Sequence, residues 1–137
     1  MRGLVTLVVA ALVSGFVAGT VQLEIGVAYS VQEELIVAMI GEVVLVLFAA
    51  AMFGVAMLAS GVARAIDWTA GALVAVIVVG LAALEGFTLS TDPAPQFARD
   101  IPVLVEIGIP ALLTVALQWW IVRRHITKAG RAAPAAA

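Results

Sequence analysis

The sequence predicts an all-α integral membrane protein, a four-helix bundle with both termini cytoplasmic. Three observations carry that expectation. Of 137 residues, 64% are hydrophobic and only 12% charged, against about 25% charged in an ordinary globular domain. The apolar residues fall into four runs, each long enough for the roughly 20 residues that cross a bilayer. Six of the seven bases lie on one side of those runs, as the positive-inside rule requires of cytoplasmic loops. Mean hydropathy is +1.20, which leaves little polar sequence for a soluble domain. This composition excludes a secreted scaffold, a nucleic-acid binder and a cytosolic enzyme.

The first run, Gly3 to Leu23, follows Met1-Arg2 in the manner of a signal peptide. It is long for one, and Ala18-Gly19 makes a mediocre cleavage site, so it is read as a retained span over 3–23. Val21, Leu23, Ile25, Val27, Tyr29 and Val31 then alternate with polar or small residues. That period of two predicts a short extended segment on the outer surface, or frayed helix ends. Ser30-Val31-Gln32-Glu33 matches a capping box, so the second span is expected over 31–60, interrupted by Glu42. Asp67 is placed to cap a third span over 68–89 that contains Glu85. Asp100 and Pro102 suit the first turn of a fourth, over 101–122, that contains Glu106. Residues 1–128 thus form one transmembrane domain, and the small-residue tail 129–137 is expected to be disordered.

Orientation follows from the charges. Arg2, Arg64, Arg123, Arg124, Lys128 and Arg131 fall on the cytoplasmic side and Arg99 alone on the other. Trp68, Trp119 and Trp120 land at the same inner interface, where indoles anchor helices together with Arg123 and Arg124. The Ala, Val, Gly and Arg bias points to the plasma (inner) membrane of a bacterium or archaeon. His125, the single histidine, sits among these bases. It reads as a topology anchor within reach of anionic lipid heads rather than as a catalyst.

With no cysteine and one histidine, thiolate chemistry, disulfides and multi-histidine metal sites are excluded, and no nucleotide loop or hydrolase motif is present. No cofactor is predicted, although carboxylates leave room for a hard cation. Chemistry is therefore sought at the ionisable residues inside the spans. Glu42, Glu85 and Glu106 are expected about seven, four and five residues below the outer helix ends, one layer at roughly 6–10 Å depth. Five further acids, Glu24, Glu33, Glu34, Asp92 and Asp100, lie above it. Pro110 stands four residues after Glu106. Its ring removes the helix hydrogen bond of the Glu106 carbonyl and kinks the helix beside Gly108, a broken-helix arrangement of the kind used by ion sites. Thr88, Gln22 and Gln32 are the nearby polar candidates. The bland alternative is that these glutamates snorkel to the interface.

Small residues four apart mark packing faces. Ala11, Gly15 and Gly19 form one stripe on the first span and Ala10, Ser14 and Ala18 another; Gly54 and Gly86 continue the pattern in the second and third. The leading functional expectation is a non-enzymatic membrane protein in the lipid bilayer. It would pack as a homo-oligomer or as a subunit among other membrane proteins, with the outer acidic layer as functional surface. A small cation- or proton-coupled transporter using the intramembrane glutamates comes second. A membrane-embedded lipid-modifying enzyme using Glu33, Glu34, Asp92 and Asp100 comes last.

Overall fold

The computed structural model describes residues 2–28, 32–60, 62–91 and 97–136, with side chains described for 2–28, 36–60, 62–86, 101 and 104–130. Four helices follow one another: α1 (Arg2–Ala28), α2 (Gln32–Ala59), α3 (Ala63–Thr91) and α4 (Phe97–Ala136). There is no strand among the described residues. Each helix contains a stretch long and apolar enough to span a membrane: Arg2–Ala28, Ile36–Ala59, Ala63–Gly86 and Leu104–Gly130. The fold is thus the expected all-α four-helix bundle of an integral membrane protein.

Three of the helices, α1, α3 and α4, outrun their expected bounds for identifiable reasons, while α2 lies within 31–60. α1 continues through Gln22, Glu24 and Gly26 to Ala28, so the alternating segment is helical as far as it is described. Gln22 and Gly26 are buried there, four residues apart; a helical face explains both positions, and the apparent period of two is incidental. α3 starts at Ala63, four residues ahead of Asp67, which is consequently a helix-interior residue and not a cap. α4 is helical through Ala136, where the sequence predicts disorder from 129. Alanine dominates this tail, and alanine has the highest helix propensity. The capping residue Ser30 lies outside the described residues.

α4 is the central helix. It buries 44% of its span, while the other three bury 17–22%, and it touches all three, whereas α1 and α3 do not meet among the described residues. α1 runs antiparallel to α4, and α2 runs parallel to it. The apolar core comprises Phe53, Ile66, Leu73, Ile77, Val115 and Val122, with Ala10, Ala49 and Ala111, so it occupies chiefly the α2–α3–α4 side. The outward faces, from Leu12 and Phe16 on α1 to Leu47 and Leu58 on α2 and Val76 and Val79 on α3, are exposed and apolar, as lipid-facing surfaces are. Three glycines among the described residues permit close approach: a Cβ on Gly3 would lie 2.9 Å from Met57 Cε, one on Gly54 3.1 Å from Leu7 Cδ1, and one on Gly108 3.0 Å from Leu81 Cδ1.

Candidate functional site

α4 carries Glu106, Pro110, Thr114, Gln118 and Val122 at four-residue intervals, and all five are buried. That spacing puts them on one face, one above the other. α1 opposes them with its own buried stripe, Ala10, Ser14, Ala18, Gln22 and Gly26. The small members of this stripe let the two backbones come close, as membrane helices do where no hydrophobic effect drives them together. The longer polar side chains then reach across.

Three contacts fix the antiparallel register. Near the start of α1, Thr6 Oγ1 lies 3.1 Å from His125 Nδ1. Midway, Gln118 Nε2 donates to Ser14 Oγ at 3.1 Å and to the Val46 carbonyl at 3.0 Å, tying α4 to α1 and α2 together. Farther along, Gln22 Nε2 donates to the Glu106 carbonyl at 3.4 Å. This is the carbonyl that Pro110 deprives of its helix partner, so a side chain of α1 takes the place of the missing amide. From α2, Glu42 accepts a hydrogen bond from the Thr114 hydroxyl.

Glu42 and Glu106 therefore face the interior. Glu106 is fully buried and Glu42 is 7% exposed, so neither snorkels. They do not share one layer, however. Glu42 meets α4 at Thr114, two turns or about 12 Å from Glu106. The depth expected from counting residues fails because the register of α2 against α4 is set by packing: Glu42 pairs with Thr114 and Val46 with Gln118. Glu85 is half-buried on α3. The side chain of Thr88 lies outside those described, as do those of Gln32, Glu33, Glu34, Asp92 and Asp100.

The result is a buried polar seam of Gln22, Glu106, Thr114, Glu42, Gln118 and Ser14 between α1, α2 and α4. Two of its acceptors, Gln22 Oε1 and Gln118 Oε1, receive no hydrogen bond among the described residues. The sequence alone points to Glu42, Glu106, Pro110 and Gln22 but not to Thr114 and Gln118. The signal was their spacing: continuing the four-residue step from Glu106 through Pro110 lands on both.

The small-residue stripe that is buried is the one through Ala10, Ser14 and Ala18. Ala11, Gly15 and Gly19 flank it half-buried; a Cβ at Gly15 would lie 3.8 Å from the Val46 side chain, and one at Gly19 or Gly86 would meet nothing within 4 Å. Gly54 is buried at the α1–α2 approach.

At the opposite end from Gln22, the bases gather. Asp67 accepts a hydrogen bond from Trp119 Nε1 at 2.7 Å and pairs with Arg123 at 3.4 Å, linking α3 to α4. Arg123 also stacks over Trp119 and Arg124 over Trp120, at 5.4 and 5.3 Å from the ring centres. Trp68 and Trp120 are exposed, as interfacial anchors would be, whereas Trp119 is engaged within the bundle. Comparison with protein-family models, with curated proteins and with solved structures finds no match for this chain.

Proposed function

We propose that this small integral membrane protein moves protons across the bilayer, with Glu42 and Glu106 as the protonatable groups. The observation that carries this reading is the burial of both carboxyl groups on a single polar seam inside the bundle. Ionisable side chains at membrane depth are costly and mark ion or proton paths. Proton transfer needs no wide pore, which suits a bundle whose interior is filled by side chains. The two acceptor-only oxygens on the seam, Gln22 Oε1 and Gln118 Oε1, add to the support: a buried acceptor without a donor calls for water or another proton-bearing group.

A proton is favoured over a metal cation by the ligand set. A hard divalent ion takes six or more oxygen ligands. Among the described residues no three His, Cys, Asp or Glu side chains come together, and the two glutamates stand two turns apart. The same burial weighs against the acidic layer as a face offered to another subunit, because Glu42 and Glu106 are enclosed by the chain's own helices.

The test is ion selectivity in reconstituted liposomes. With an imposed membrane potential and an internal pH dye, the protein should acidify or alkalise the lumen faster than empty vesicles do. Sodium, potassium and magnesium fluxes should stay at the level of empty vesicles. Metal-cation flux without proton flux would overturn the reading.

A further inference from the structure

The basic end of the bundle holds a groove of about 520 Å³ between α1 and α4, in the size range of small-molecule sites, about 300–1,000 Å³. Its lining is part apolar, with Val5 and Val9 from α1 and Ile121 from α4, and part polar, with Trp120, Arg124, His125 and Lys128 from α4. Arg124 and Lys128 lie one turn apart on α4 with His125 beside them, so two positive charges converge on one opening. Neither Arg124 nor Lys128 has a carboxylate partner among the described residues; the carboxylate of Asp67 is engaged by Arg123 and Trp119. Arg124 is fixed in place by its stacking on Trp120. His125 is fixed by Thr6. The Thr6 hydroxyl donates to the Arg2 carbonyl at 2.9 Å, so towards His125 its oxygen accepts from Nδ1–H, and Nε2 is the ring's remaining polar atom.

We infer that this groove is a binding site for an anionic phospholipid, with the headgroup phosphate held by Arg124 and Lys128 beside His125 and an acyl chain laid along Val9 and Ile121. The pairing of uncompensated cations with an apolar lining fits an amphiphile. A free phosphate would use only half of it. The site also lies where a lipid headgroup is found, at the end of a membrane span that Trp68 and Trp120 mark as interfacial. A guanidinium and an ammonium recognise phosphate by charge-assisted hydrogen bonds, and bases at an anionic membrane surface each contribute a several-fold preference.

The full chain in nanodiscs of phosphatidylcholine with a minority of spin-labelled phosphatidylglycerol tests this. The wild type should immobilise labelled phosphatidylglycerol in preference to labelled phosphatidylcholine. Arg124→Gln and, separately, Lys128→Gln should each lower that preference about fivefold, while Arg124→Lys retains most of it. Arg64→Gln removes the same charge from an exposed position at the same end and should leave the preference intact. Three results would overturn the inference: no preference in the wild type, an equal fall with Arg64→Gln, which would indicate diffuse surface charge, or displacement of the lipid by millimolar inorganic phosphate, which would indicate a soluble phosphate ligand.

Discussion

Gln22 and Pro110 form a matched pair. Proline at position 110 removes one backbone donor from α4, and the Glu106 carbonyl it orphans is buried, where an unmade hydrogen bond costs about 1–3 kcal/mol. Gln22 supplies the donor from another helix. Gln22→Leu should therefore destabilise the bundle by about 1–2 kcal/mol, the upper part of the range for interhelical hydrogen bonds in membranes. In a Pro110→Ala background the backbone amide returns, and the same substitution should cost less than half as much. A double-mutant cycle of unfolding free energies in mixed micelles checks this; equal costs in the two backgrounds would show that the bond is incidental. One half of the pair was legible in the sequence, because the proline spacing names the carbonyl it exposes. The donor was not: Gln22 stood in a stretch whose alternation mimicked a strand, and only the continuation of α1 to Ala28 turns it inward. At the other end, Asp67 joins Trp119 and Arg123 while remaining about 40% exposed with its partner. Removing the ion pair with Asp67→Asn should change stability by less than about 1 kcal/mol.

For the helices, the informative contrast lies on α1, where two small-residue stripes differ by a single position. Ala18 is fully buried and opposes α4; Gly19 has nothing within 4 Å of where its Cβ would be. Ala18→Leu should overpack the seam and destabilise by about 1–3 kcal/mol, whereas Gly19→Ala should be within about 0.5 kcal/mol of the wild type. Thermal unfolding followed by circular dichroism distinguishes the two. Sequence alone shows both stripes but not which is used, since that depends on the rotation of α1 about its axis, a property of packing and not of spacing. The number and order of the spans were legible from the apolar runs, although α1, α3 and α4 extend beyond them. The vertical register of α2 against α4 was not, and it moves Glu42 two turns away from Glu106. Because the chain contains no cysteine, the register can be checked without background: Ser14→Cys combined with Gln118→Cys should react with a short bifunctional thiol reagent, and Gly19→Cys with Gln118→Cys should not.

Taken as a whole, the molecule divides by charge and by polarity of its interior. One end gathers bases around Trp119, Trp120 and Asp67. The α2–α3–α4 side is packed with apolar residues, and the α1–α2–α4 side encloses the polar seam. A bundle held together only by apolar packing would have no use for six buried polar side chains, each a liability in lipid unless it is bonded or functional. Several of them serve the fold: Gln118 ties three helices together and Gln22 completes α4. The carboxyl group of Glu42 exceeds what that structural role requires, since a neutral amide oxygen would accept the same hydrogen bond from Thr114, and Glu106 adds a second ionisable group to the same seam. Proton movement would depend on charge chemistry at Glu42 and Glu106, and the decisive measurement replaces each with its neutral isostere. Proton flux in proteoliposomes of Glu42→Gln and of Glu106→Gln should drop to the level of empty vesicles, with circular dichroism and melting temperature close to wild type. Wild-type flux in both variants would contradict the proposal and leave the seam a structural clamp.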